Sequence, residues 1–182
     1  MPDRMPRRLD AEGLWQYALR ALGRRAHSIG ELREKLLGRA QRASDVAGVL
    51  TRLKQSGYLD DRRYAEGFSA SRLENQGFGK SRVLRDLRRR RVAPPVAEKA
   101  VQEAYQGVDE IQLIEDFLRR KFRKTPLETC LAEQKNLAAV YRRLRAAGFS
   151  STNALRVLKR YAREPECLDS MEGEEEQEDR GL

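Results

Sequence analysis

The sequence predicts an all-α protein made of three consecutive three-helix units, stacked into an elongated, curved molecule. Three observations lead there. Charged residues make up 36% of the 182 residues, while apolar positions recur at intervals of three and four, the pattern of thin amphipathic helices. No stretch alternates apolar and polar residues, no asparagine-glycine turn occurs, and aromatics reach only 7%, too few for one thick core. The apolar register also repeats. Leu36, Leu87 and Leu144 fall at equivalent places, followed fourteen residues later by Leu50, Val101 and Leu158, and seventeen later by Leu53, Ala104 and Tyr161. Units this small depend on their neighbours for a core, so stacking is expected.

The elements follow in order. The first unit, 10–57, reads as helices over about 10–26, 29–40 and 44–56, with Ser28 and Ser44 as N-caps for the second and third. Between the first and second units stands "GYLDDRRYAEGF". Gly57 suits the left-handed residue that ends a helix, and Asp60 the N-cap of the next. Leu59 and Tyr64 sit at staple positions, and Asp61 favours the positive end of its own helix. With Tyr58 and Phe68 these residues form a structural joint. The second unit, 58–107, reads as helices over 60–76, 80–91 and 95–106, the last opened by Pro94 and Pro95. The third, 108–163, reads as 109–123, 130–147 and 152–162, capped by Thr152 or Ser151. Residues 1–9 form an extension and 164–182 a tail, both expected to be disordered.

Composition narrows function. No run of about 20 apolar residues exists and "MPDRMPRRLD" lacks a secretory core, so a cytoplasmic protein is expected. Cys130 and Cys167 have no CxxC or Cys/His neighbour, which argues against metal or redox chemistry. His27, the single histidine, has no triad partners and reads as a loop or packing residue. Trp15, Tyr17 and Leu19 read as core. Capping accounts for Asp60 and Asp61 without a metal. With no Walker loop, Rossmann glycines or nucleophile elbow, an enzyme is not expected, and no cofactor is.

Charge is the informative quantity. Residues 164–182 hold nine acids against one base, so of the net +9 the preceding residues carry +17. Such a body suits a polyanion, with the tail as a solubilising end or an internal competitor. The densest stretch is "GKSRVLRDLRRRRV". On a helix, Val83, Leu84 and Leu87 share one face, Arg82, Arg85 and Arg89 fall opposite, and Lys80, Arg88, Arg90 and Arg91 flank them. Forked guanidinium donors suit phosphate. Weaker patches gather Arg119, Arg120, Lys121, Arg123 and Lys124, then Arg142, Arg143 and Arg145 beside an apolar side of Leu137, Val140, Tyr141 and Leu144, and finally Lys159, Arg160 and Arg163.

The stretches "HSIGELREKLLGR" (27–39), "LKQSGYLDDRRYAEGFSASR" (53–72) and "GFGKSRVLRDLRRRRV" (77–92) together resemble the RecX family of bacterial recombination regulators, over about residues 12–163. Where the family often ends its fifth helix in lysine-glycine, this chain has Arg90-Arg91. The resemblance implies three tandem three-helix units and binding to RecA–DNA filaments. It also implies inhibition of recombinase and coprotease activities, and so a role in DNA repair and the SOS response. The expected partners are the RecA filament and single- and double-stranded DNA, with no membrane and a monomeric protein. A general sequence-independent DNA-binding protein acting without RecA is the alternative, and an interaction scaffold with incidental charge a third.

Overall fold

The computed structural model describes residues 8–123, 127–131 and 134–162. Its helices are α1 (Ala11–Arg24), α2 (Ile29–Leu37), α3 (Ala43–Gln55), α4 (Asp61–Ser71), α5 (Lys80–Arg89), α6 (Pro94–Ala104), α7 (Glu110–Lys121), the single turn α8 (Leu127–Cys130), α9 (Gln134–Ala146) and α10 (Ser151–Lys159). Among the described residues no strand forms. One isolated bridge joins Leu9 to Ala40 through Leu9 N donating to Arg39 O and Gln41 N to Leu9 O, both at 2.8 Å. The chain is all-α.

Residues up to Phe68 with Asp86–Glu103 make one compact unit, and Ser69–Arg85 with the residues from Ala104 onward make another. In the first unit α1, α2 and α3 pack together around Leu14, Trp15, Ala18, Leu32, Leu36, Val46, Val49, Leu50, Leu53 and Leu59. In the second, α10 packs on α7 and α9, and the core runs from Ile114 and Phe117 through Leu137, Val140, Tyr141 and Leu144 to Phe149, Leu155 and Leu158. A Leu side chain fully removed from water contributes about 1.5–3 kcal/mol. Leu36, Leu87 and Leu144 are all at 0% exposure, and Leu50, Val101 and Leu158 are buried too. The third set divides: Leu53 is buried, whereas Ala104 and Tyr161 are half-buried.

Helix ends show where local chemistry governs. Ser28 caps α2 in a full capping box, accepting from Glu31 N at 3.0 Å while the Glu31 carboxylate accepts from Ser28 N. Asp60 Oδ1 accepts from the amides of Arg62 and Arg63 at 2.8 and 3.1 Å, and Gly57 is left-handed at φ 72°. Pro94 opens α6. Two expected caps are corrected. Ser44 does not cap α3, which starts at Ala43 after Arg42 with no side-chain cap. Ser150, not Ser151 or Thr152, caps α10, because Glu110 draws it into place by accepting from Ser150 N, Ser150 Oγ and Asn153 Nδ2. Asp61 stands in the first turn of α4 as expected, and its Oδ1 also accepts from Ile29 N at 2.7 Å, at the start of α2. The helix expected over 60–76 widens into a π turn at Arg72–Gln76 and stops at left-handed Gly77.

Candidate filament and nucleic-acid interface

Two joints, each a helix N-terminus set against the end of another helix, position the basic residues of α5 and the turn after it. At the first, in the first unit, the start of α2 meets the end of α5. Ser28 Oγ donates to Arg90 O, and Arg90 Nη1 reaches Glu31 Oε1 and the Tyr64 hydroxyl, each at 3.1 Å. The Arg90 guanidinium lies 4.9 Å from the Phe68 ring centroid, and Phe68 stacks on Tyr64. Glu31 also takes two hydrogen bonds from Arg25, at 3.2 and 3.3 Å. Burial pushes the Glu31 carboxyl up, but the Arg25 hydrogen bonds and the charges of Arg25 and Arg90 outweigh it and hold it below the usual carboxylate range. Asp61 goes the other way, raised by burial against the opposing Ile29 amide. The second aspartate, Tyr64 and Phe68 of "GYLDDRRYAEGF" thus form a socket for Arg90 and the α2 amides, and Leu59 is buried while Tyr58 is 56% exposed.

At the second joint, in the second unit, the start of α5 meets the end of α9. Gly79 N donates to Ala147 O at 2.9 Å and Ser81 N to Gly148 O at 3.3 Å. Arg82 Nη1 and Arg85 Nη2 each donate to Ala146 O at 3.1 Å, satisfying a carbonyl at the negative end of α9. Arg82 also lies over Phe78, at 5.1 Å, and the Phe78 carbonyl accepts from the Tyr105 hydroxyl.

The ridge expected from Arg82, Arg85 and Arg89 is therefore divided. Arg82 is half-buried and Arg85 exposed, both bonded to α9, and Arg89 is exposed with no partner among the described residues. Arg88 pairs with Glu98 at 3.2 Å and Arg91 with Glu34 at 3.3 Å. Helix α5 ends at Arg89, and Arg91 takes φ 59° where a glycine would cost less. Lys80 is exposed at the start of α5; burial pushes the Glu110 carboxyl up, but the hydrogen bonds from Ser150 and Asn153, with the charge of Lys80, outweigh it and hold Glu110 below the usual carboxylate range.

In α7, Arg119 pairs with Glu115 and Asp116, and Arg120 is half-buried, donates to Asp116 O and packs against Gly77. Lys121 lies 5.7 Å from the Phe117 ring, and Arg123 is exposed without a partner among the described residues; Lys124 lies outside them. In α9, Arg142 and Arg143 are exposed and unpaired among the described residues, whereas Arg145 is half-buried and donates to Phe149 O at 2.6 Å. Arg160 pairs with Glu115 at 2.7 Å, and Lys159 is half-buried. Arg163 and the 164–182 tail fall outside the described residues. Glu31, the hub of the first joint, was not singled out from sequence, although Ser28-x-x-Glu31 carries the capping-box spacing that marks it.

Against known proteins, two family models match, "RecX, first three-helix domain" over residues 15–53 and "RecX, second three-helix domain" over residues 60–101. The regulatory protein RecX of Trichlorobacter lovleyi is 30% identical over 134 residues, 74% of this chain and 86% of its own. The chain belongs to the RecX family. The RecX proteins of Syntrophotalea carbinolica and Vibrio vulnificus are 28% and 32% identical, over 75% and 73% of this chain and 88% and 82% of theirs. The crystal structure of RecX from Lactobacillus salivarius superimposes with a TM-score of 0.62 at 15% identity, covering 83% of this chain and 96% of that one. A second crystal structure of a regulatory protein RecX gives 0.59 at 18%, over 81% and 72%. Both share the all-α helical repeat fold. Among the described residues no helix is long and apolar enough to cross a membrane.

Proposed function

We propose that this protein binds RecA–DNA filaments and inhibits the recombinase and coprotease activities of RecA without itself catalysing a reaction, modulating DNA repair and the SOS response in the cytoplasm. The observation that carries this reading is membership of a family of regulatory proteins, matched over both 15–53 and 60–101. The charge distribution supports it: Arg89, Arg123, Arg142 and Arg143 are exposed and unpaired among the described residues, beside Lys80 and Lys121. These residues are the contacts in our reading. Arg82 and Arg90 hold helix ends together, Arg120 and Arg145 bond carbonyls four residues away, and the exposed pairs of Arg88, Arg91, Arg119 and Arg160 exchange partners at little cost, since surface pairs contribute about 0–1 kcal/mol. Three units, 10–57, 58–107 and 108–163, would engage several protomers at once, each weak contact raising the effective concentration for the next.

The test compares RecA ATP hydrolysis, strand exchange and filament length with and without substoichiometric protein. Inhibition is expected in all three, and no change in any of them defeats the proposal. Equal affinity for naked DNA with and without RecA would instead favour the general DNA-binding alternative. With six to ten phosphate contacts, affinity falls by roughly 10³ to 10⁵ between 50 and 200 mM salt.

A further inference from the structure

A further concentration of positive charge lies on a concave surface away from these residues. A cavity of about 540 Å³ opens in the first unit between the last turns of α1 and the middle of α2, lined by Tyr17, Arg20, Arg24, Arg25, His27 and Lys35. Helical spacing creates the lining: Tyr17, Arg20 and Arg24 recur at intervals of three and four on one face of α1. Lys35 comes from α2, and the capped start of that helix brings His27 alongside. Four permanent cations therefore face one hollow, and no carboxylate lines it. Glu31, beside His27, is occupied by Arg25, Arg90 and the Ser28 amide. Arg24 and Lys35 are exposed and have no partner among the described residues.

We propose that this cavity is a binding site for a phosphate group, presented by a nucleotide or by a nucleic acid. The volume falls within the range of ligand pockets, about 300–1,000 Å³. Several guanidiniums and an ammonium converging on one space repel one another until an anion enters, and guanidinium forks match the tetrahedral oxygens of phosphate in pairs. Tyr17 adds a phenol donor at the wall, held by the Arg39 guanidinium 4.6 Å from its ring centroid. His27 registers the field. It is buried, its Nδ1 makes no hydrogen bond, and it lies 3.6 Å from Glu31 Oε2. Burial first, then the charges of Arg25 and Lys35, hold its pKa below the ordinary value despite Glu31, so that contact joins a neutral imidazole to a carboxylate. An anion in the cavity offsets those cations and moves His27 back up.

Because His27 is the only histidine in the chain, its imidazole resonances report occupancy without ambiguity. The full-length protein, without RecA, is titrated with pyrophosphate while the His27 signals are followed. A saturable shift with an upward move of the His27 titration midpoint is expected, and the shift should require about tenfold more pyrophosphate after Arg24→Ala with Lys35→Ala, as loss of charge-assisted contacts implies. Arg20→Gln alone, with an unchanged melting curve, should weaken binding in the same direction if the double variant folds poorly. A short oligonucleotide with and without a terminal phosphate separates the sources: dependence on the terminal group assigns a phosphomonoester, and indifference assigns the backbone. No shift at about 10 mM pyrophosphate, or an equal response to a glutamate-rich peptide, overturns the assignment. The readout is independent of RecA, so its failure is distinguishable from failure of filament inhibition.

Discussion

The two joints put the same geometry together by opposite means. At the first, a hydroxyl, two carboxylates and a guanidinium tie α2 to α4 and α5, and the meeting point is crowded on the arginine side: a Cβ at Gly30 would sit 2.6 Å from Arg91 O. At the second, backbone amides of Gly79 and Ser81 meet the carbonyls of Ala147 and Gly148 directly, and the left-handed residue is Gly148, at φ 90°. In the repeat register Ser28 corresponds to Gly79 and Arg90 to Ala147, so a side-chain bond in one place becomes a main-chain bond in the other. Both joints are too close for side chains on both partners: the first has Gly30 facing Arg91, and the second has glycine on each side, Gly79 and Gly148. The consequence is that the first joint responds to charge and pH, and the second to volume.

The largest effect should come from Gly79→Ala. A Cβ there would lie 2.6 Å from Phe149 N and closer still to Gly148, all rigid backbone. Overpacking together with strained main-chain bonds should cost about 3–5 kcal/mol, read as a lower midpoint in urea. A loss below about 1 kcal/mol would show the second joint to be loose. Next is Glu31→Ala, which removes the capping acceptor and leaves half-buried Arg90 without its carboxylate. About 2–3 kcal/mol is expected, with Glu31→Gln recovering part of it, whereas no volume change at this position explains such a loss.

The units should also part company in acid. His27 carries a folded pKa below 6.5, so its contribution is present above that value and drains away as pH falls through the lowered one. Glu31 and Glu110, both held below 4.5, withdraw theirs only beneath that value. Asp61 has the reverse sign: its raised pKa makes the first unit gain as pH falls toward 3.8. Hydrogen-exchange protection, corrected for the slower intrinsic exchange in acid, should therefore fall in α1–α3 before α9 and α10 between pH 7 and 5, and His27→Gln should remove the lag. Substituting Arg89, Arg142 and Arg143 by Glu should leave stability within about 0.5 kcal/mol, as for surface sites, while abolishing filament inhibition. The smallest effect is Arg91→Gly, which relieves a left-handed side chain at the expense of the exposed Glu34 pair. A net gain of up to about 1 kcal/mol in the thermal melt is expected.

Short-range chemistry was legible in the residues themselves. Apolar spacing located the helices, residue type at the helix starts located the caps at Ser28 and Asp60, and the leucine register located Leu36, Leu87 and Leu144 in the core. All of these act within a few residues along the chain, where spacing dictates geometry. The use of the arginines did not follow from the same signals. Periodicity says which way Arg82, Arg85 and Arg90 point from their helix. What they touch depends on Ala146 and Glu31, 59 to 64 positions away. For the same reason Asp61, in the first turn of its own helix, also holds the Ile29 amide of α2, and Arg20, Arg24 and Lys35, unremarkable as sequence, converge on one hollow. Local backbone preference selects the helices and their ends, while the sharing of charge and space among distant side chains is settled only when those helices pack.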